Sequence, residues 1–148
     1  MPAAVTPDRY DPDIAAAMTD VSQSLDGLPS YLGIRTVEVA PATMLAELDA
    51  RPELLNPFGT LHGGVVSALV DHVLGAVLYP VIERGRWAAT TEFKLNLLNP
   101  VRVGTVRARS TIVSLTRRTA VVQVEVDNDG RPCALAQGTV LIVEPRPT

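Results

Sequence analysis

Asn56-Pro57-Phe58-Gly59-Thr60-Leu61-His62-Gly63-Gly64 runs straight into Val65-Val66-Ser67-Ala68-Leu69-Val70-Asp71-His72-Val73-Leu74-Gly75-Ala76. A loop of turn formers therefore opens an apolar stretch that reads as one long helix, from about Gly63 to Glu83. Valine, alanine and leucine fall on nearly every side of it, so it is expected to be covered all round. The apolar run reaches 18 residues, Val65 to Ile82, only by including Asp71, His72 and Pro80. A charge in the middle of a membrane span is costly, so the stretch is read as a buried helix and no membrane partner is expected.

On both sides of this helix the apolar period changes from helical to two. Ile34 to Ala40 and Thr43 to Asp49 flank Pro41, and Met44, Ala46 and Leu48 alternate with Leu45, Glu47 and Asp49. Downstream, Thr90 to Leu97 carries Phe93, Leu95 and Leu97 on one side and Glu92, Lys94 and Asn96 on the other. Val106, Ala108, Ser110 and Ile112 oppose Thr105, Arg107, Arg109 and Thr111 in the next strand. Ala120, Val122, Val124 and Val126 then oppose Gln123 and Glu125, and Cys133 to Val143 follows a tight turn at Asp127-Asn128-Asp129-Gly130. About six strands joined by short turns, with one buried helix, make an α+β domain: a curled antiparallel sheet wrapped around the helix.

The first thirty residues stand apart as an extension, residues 1–30, before a main domain at residues 31–148. Asp11-Pro12 reads as a cap followed by proline at the first helical position, and Ile14, Met18, Val21 and Leu25 form one apolar stripe of a short N-terminal helix ended by Gly27 and Pro29. The ten residues before it are expected to be mobile.

The whole chain of 148 residues is 47% hydrophobic and 20% charged, which suits one domain and leaves no room for two. Thirteen Lys and Arg against sixteen Asp and Glu provide no cationic footprint, so no nucleic acid partner is expected. The lone Cys133 excludes an intrachain disulfide and a cysteine-rich metal site, and with no apolar leader at the N-terminus a cytoplasmic location is expected.

Two features could carry chemistry. Glycines at a helix start leave backbone N–H groups open to a ligand, and those groups with the helix dipole stabilise developing negative charge. Asp71, in otherwise apolar surroundings, is a carboxylate whose burial would favour a raised pKa. Gly63 and Asp71 are eight residues apart, or roughly 12 Å along one helix axis, too far for one substrate carbonyl to touch both. If they act together, Asp71 comes from a second subunit with an antiparallel helix, and a symmetric dimer holds two shared sites. His72 lies about 100° round the helix from Asp71 and is read as packing or surface rather than catalytic. Asp127 to Gly130 resembles the start of a calcium loop, but Ala136 stands where a glutamate is required, so a hairpin turn is preferred and no metal is assigned.

His62-Gly63-Gly64 with Asp71 seven residues after Gly64, Asn56 before it, and Thr90-Thr91-Glu92-Phe93-Lys94-Leu95-Asn96-Leu97-Leu98-Asn99-Pro100 downstream resembles the hotdog-fold thioesterases of the phenylacetic-acid-pathway (PaaI-like) type over roughly residues 33 to 144. The resemblance implies a hotdog fold, a homodimer with a continuous sheet that is often paired into a tetramer, and hydrolysis of acyl-coenzyme A without a cofactor. It implies that Asp71 acts as general base or nucleophile. It further implies that Gly63 or Gly64 polarises the thioester carbonyl, that His62 and Asn56 shape the site, and that Thr90, threonine where some relatives carry serine, orients water. Arg102, Arg117 and Arg118 are candidate partners for the coenzyme A phosphates, and Val65 and Val66, with Leu69 and Val73, for the acyl chain. Carrier-protein thioesters, a hydratase variant and a non-catalytic acyl-thioester-binding module are the competing readings.

Overall fold

The computed structural model describes residues 3–20 and 26–147. Its elements are α1 (Pro12–Thr19), α2 (Leu28–Leu32), β1 (Arg35–Ala40), β2 (Thr43–Asp49), a 3₁₀ turn (Pro52–Leu54), α3 (Gly63–Ala76), β3 (Trp87–Leu97), β4 (Thr105–Leu115), β5 (Thr119–Asn128) and β6 (Arg131–Val143). The six strands form one antiparallel sheet in the order β1-β2-β4-β5-β6-β3. Alternation places Met44, Ala46 and Leu48 of β2, Val106, Ala108 and Ile112 of β4, and Val122, Val124 and Val126 of β5 in the core. Val66, Leu69, Val70, Val73 and Leu74 of α3 are buried with them, each side chain stabilising the fold by about 2 kcal/mol. This is the curled sheet around one helix that the sequence implies.

Three features depart from the sequence reading. First, α3 ends at Ala76 rather than near Glu83. The N–H groups of Leu78 and Tyr79 bond back three residues, to Gly75 (3.1 Å) and Ala76 (3.2 Å), tightening the chain into turns. Pro80 has no N–H to continue the ladder and disfavours helical geometry at Tyr79. Second, α3 is not covered all round. The sheet takes one side only, so Asp71 and Gly64 are exposed, while Ala68, His72, Gly75 and Ala76 are partly so. Third, β3 adjoins neither β2 nor β4: α3 and the turns after it carry the chain across the sheet, where β3 pairs with β6 at the far edge.

The β3–β6 pairing carries a bulge. Thr90 faces Val140 and Glu92 faces Thr139, with Thr91 as the extra residue; its hydroxyl donates to the Thr139 carbonyl at 3.1 Å. Gly138 makes room for it: a Cβ there would lie 2.7 Å from the Glu92 oxygen and 2.7 Å from the Phe93 Cβ. At the β5–β6 turn Asp129 and Gly130 take φ of 50° and 87°, and the Gly130 N–H donates to Asp127 Oδ1 at 2.7 Å, as the hairpin reading requires.

The described residues of the N-terminal extension are docked. Asp11 Oδ1 caps α1 by accepting from the Asp13 and Ile14 N–H groups (both 3.2 Å). The Asp11 N–H donates to the Pro80 carbonyl at 2.7 Å. Residues 3–10, expected to be mobile, are held by the Val5 N–H to the Ile112 carbonyl (3.0 Å) and the Tyr10 hydroxyl to the Val39 carbonyl (3.3 Å). Of the expected stripe, Ile14 and Met18 lie on α1, while Val21 and Leu25 lie outside the described residues. The sequence reading did not anticipate α2; it closes on Gly33, whose φ of 72° lets it end the turn. No helix among the described residues is long and apolar enough to cross a membrane.

Arg84 Nε lies 2.7 Å from Asp11 Oδ2, and this charged hydrogen bond, reinforced by the cap, holds the Asp11 carboxyl at about 2 instead of the usual 3.8. Because the folded value is depressed, the stabilisation is present above the ordinary value and lost as pH falls through the folded one. The stability difference between the native chain and Asp11→Asn should therefore be full at neutral pH and shrink between 3.8 and about 2 in denaturant titrations. Gly138→Ala should cost roughly 1–3 kcal/mol in the same assay, because the neighbour in the way is backbone.

Candidate active site

The loop before α3 is built by Asn56. Its Oδ1 accepts from the Phe58 N–H (2.9 Å) and the Thr60 N–H (3.2 Å), and its Nδ2 donates to Thr60 Oγ1 (2.8 Å). The Asn56 N–H meets the Thr60 carbonyl at 2.7 Å, closing a compact turn. One of the two Nδ2 N–H donors is left over, facing no acceptor among the described residues. Asn56 therefore shapes the loop first, and lines the hollow beside it second.

That loop delivers His62 to the N-cap of α3. Its Nδ1 accepts from the Gly64 N–H at 2.8 Å, so the neutral ring carries its proton on Nε2, the nitrogen turned away. A Cβ on Gly64 would stand 3.0 Å from Nδ1, a tight contact that glycine avoids. The His62 N–H donates to the Leu54 carbonyl (2.9 Å) and the Val65 N–H to the His62 carbonyl (2.9 Å). Of the four N–H groups that a helix start leaves unpaired, only that of Gly63 has no acceptor among the described residues. The choice between the two glycines is thereby narrowed: Gly64 is spent on the cap, and Gly63 is free. Gly63, Asn56, Thr60, Val66, Leu97 and Asn99 border a hollow of about 290 Å³, with the buried Cys133 also on its wall. Burial, with a smaller contribution from Asp127, pushes the Cys133 thiol up to about 11, consistent with a packed, unreactive group.

The other end of α3 holds a second, larger hollow of about 580 Å³. Asp71, His72, Gly75, Ala76 and Tyr79 line it from the helix side, and Ala88, Thr90, Thr91, Glu92 and Phe93 line it from β3. Asp71 and Thr90 are thus brought together. Asp71 is exposed rather than buried, because nothing in a single chain covers that side of α3. His72, read as packing or surface, shares the hollow: burial pushes its imidazole down, and the neighbouring Asp71 charge pulls it partly back. Gly63 and Asp71 do lie on one helix, roughly 12 Å apart along its axis. The two halves of the expected chemistry are therefore separate in one chain.

The remaining candidates divide. Val66 is buried at the edge of the Gly63 hollow, and Val65 is partly buried against the core. Leu69 and Val73 are sealed beneath the sheet and line neither hollow. Arg102 is exposed beside the 56–60 loop, its Nη1 4.0 Å from where a Gly59 Cβ would stand. Arg117 and Arg118 line neither α3 hollow; they sit on a different one, of about 880 Å³, walled by residues 5–9. Residues the sequence reading passed over are Tyr79 and Phe93 on the Asp71 hollow, and Arg131, whose Nη2 donates at 2.9 Å to Oδ1 of Asn99, a residue that borders the Gly63 hollow. Tyr79 stands in the turns after α3 and Arg131 reaches its place through the fold, so neither had a local signal in the sequence.

Comparison with known proteins identifies the family. The family model described as Thioesterase superfamily matches residues 58–134. A putative esterase of Haemophilus influenzae is 29% identical over 115 residues, 77% of this chain and 83% of that protein. The human acyl-coenzyme A thioesterase 13 is 26% identical over 106 residues, 71% of this chain and 75% of its own. Among solved structures, a mutant of the phenylacetic acid degradation protein PaaI from Thermus thermophilus superposes with a TM-score of 0.73 at 32% identity, covering 80% of this chain and 100% of that one. A thioesterase structure from Haemophilus influenzae, at 23% identity, shares the fold over 96% of both chains with a TM-score of 0.76. The match spans the cap, α3, β3 and the strands that hold them, and the chain belongs to the thioesterase superfamily, as a hotdog-fold thioester hydrolase of the PaaI-like kind.

Proposed function

We propose that this chain hydrolyses acyl-coenzyme A thioesters at a site assembled from two copies of itself. The observation that carries the reading is the division of α3: the unpaired Gly63 N–H lies in one hollow, and Asp71 with Thr90 lies in another. A second copy laid antiparallel along the uncovered side of α3 brings the Gly63 of one chain to the Asp71 of the other, twice over. β3 supports the same arrangement. It is an edge strand of 11 residues with unpaired backbone groups, bearing Trp87 and Leu97, each 58% exposed, a surface that invites pairing with a second chain. The name of the human relative supports coenzyme A as the thiol carrier.

In this reading the thioester carbonyl oxygen receives the Gly63 N–H, aided by the positive end of the helix dipole. Water held by the Thr90 hydroxyl gives a proton to the Asp71 carboxylate as its oxygen attacks the acyl carbon. The C–S bond then breaks, and the departing thiolate takes a proton back from Asp71, leaving the free acid. A hydroxyl beside Asp71 favours this general-base route over direct attack by the carboxylate. Both requirements of the reaction, proton transfer and polarisation of the carbonyl, are met by the chain without a cofactor. Arg102, beside the 56–60 loop, and Arg131, bonded to the Asn99 that borders the Gly63 hollow, are assigned to the phosphates. The reading needs neither Arg117 nor Arg118.

Two substitutions separate the roles. Asp71→Asn removes the base and should lower thiol release from acyl-coenzyme A by about 10²–10⁴-fold. Gly63→Pro deletes the free N–H at a helix position that tolerates proline, after a His62 whose ψ of 133° already suits a following proline. It should cost about 10²–10³-fold in kcat with the fold retained by circular dichroism. Native-like activity in either folded variant would contradict the assignment, and a native protein that binds the esters without releasing thiol would contradict the reaction.

A further inference from the structure

Gly75 occupies the last turn of α3, where glycine costs about 1 kcal/mol relative to alanine. Nothing within the chain requires it. Its φ is not in the left-handed region, and a Cβ built on it would meet only the Ala88 carbonyl oxygen at 3.9 Å and the Ala88 Cβ at 4.0 Å, ordinary contacts. Gly138 differs in this respect, since a Cβ on it would collide with the Glu92 carbonyl oxygen and the Phe93 Cβ at 2.7 Å. The space at Gly75 opens into the Asp71 hollow, which Ala88 borders from the opposite side. Gly75 lies one turn beyond Asp71 on the same helix face, and Ala88 two residues before Thr90 on the same strand face.

Charge decides what fills that space. The ionisable side chains around the hollow are Asp71, His72, Tyr79 and Glu92, with no arginine or lysine among them. The phosphates of coenzyme A are repelled from such a lining, whereas an acyl group is not. Gly75 lies about 6 Å beyond Asp71 along α3, and Tyr79 follows in the turns after Ala76, on the wall of the same hollow. We infer that Gly75 and Ala88 determine specificity: the acyl group runs from the carbonyl at Asp71 over the floor that these two small residues form in the hollow, and Tyr79 stops its far end. This inference rests on the thioesterase reading for the orientation of the substrate, but its size limit is measurable without turnover.

The test uses a series of straight-chain acyl-coenzyme A esters from acetyl upward, with their non-hydrolysable thioether analogues, on the native protein, Gly75→Leu, Ala88→Leu and Tyr79→Ala. Thermal melts and size-exclusion chromatography confirm the fold and assembly of each. The ratio of kcat/KM for long over short esters, and the matching ratio of analogue affinities by calorimetry, should fall by roughly ten-fold or more in the two leucine variants and rise in Tyr79→Ala. Unchanged ratios in all three variants would overturn the inference. So would an equal loss on every ester accompanied by an altered oligomeric state, which would assign Gly75 to the contact between chains. Native protein that shows the size limit in analogue binding but releases no thiol would sink the hydrolase reading and leave this inference standing.

Discussion

Val66, Leu69, Val70, Val73 and Leu74 press one side of α3 into the concave face of the sheet, and the positions of the other elements follow from that contact. With those five side chains buried, the opposite side of the helix must face outward, and it carries Gly64, Ala68, Asp71 and Gly75. Because α3 crosses the sheet, the chain emerges at the far edge, where β3 brings Thr90, Thr91 and Phe93 alongside the outward face. The hydrophobic contact thus fixes the orientation of the polar groups without touching them.

Each end of the helix is then finished by local chemistry. At the start, the Asn56 turn sets His62 at the cap, the cap consumes the Gly64 N–H, and the Gly63 N–H is left as the one open donor of that turn among the described residues. At the other end, the bulge at Thr91, made possible by Gly138, aims β3 toward Asp71. The clasp of Asp11 on Arg84, with the Asp11 N–H on the Pro80 carbonyl, ties down the segment that follows Tyr79. The wall of the Asp71 hollow is therefore braced by a part of the chain remote in sequence.

How much of this was legible depends on the range of the forces involved. Alternation identified the strands because each has one buried face, and Asp11-Pro12 identified the α1 cap because capping is local. The Gly63-to-Asp71 spacing showed that one helix separates the two halves of the chemistry, because helix rise is constant. What failed was non-local. Apolar composition on all sides of α3 suggested full cover, but one sheet can cover only one side, and the rest depends on a surface outside the chain. The place of β3 beside β6 follows from where α3 ends, and that end is set by turns tightening before Pro80. His72 was set aside from the chemistry and Arg131 was passed over because their positions follow from the exposed helix face and from a hairpin returning to Asn99.

Mixing two inactive variants tests whether each site joins the Gly63 half of one chain to the Asp71 half of another. Asp71→Asn and Gly63→Pro chains, unfolded together in equal amounts and refolded, should pair at random. About half of the dimers then combine one chain of each kind, and each of these holds one intact site of two, so thiol release should recover to about one quarter of the native value. Recovery to that level supports a site shared across chains. Activity that stays at the background of the separate variants, while size-exclusion chromatography shows the mixed dimers have formed, would mean that the catalytic groups act within a single chain.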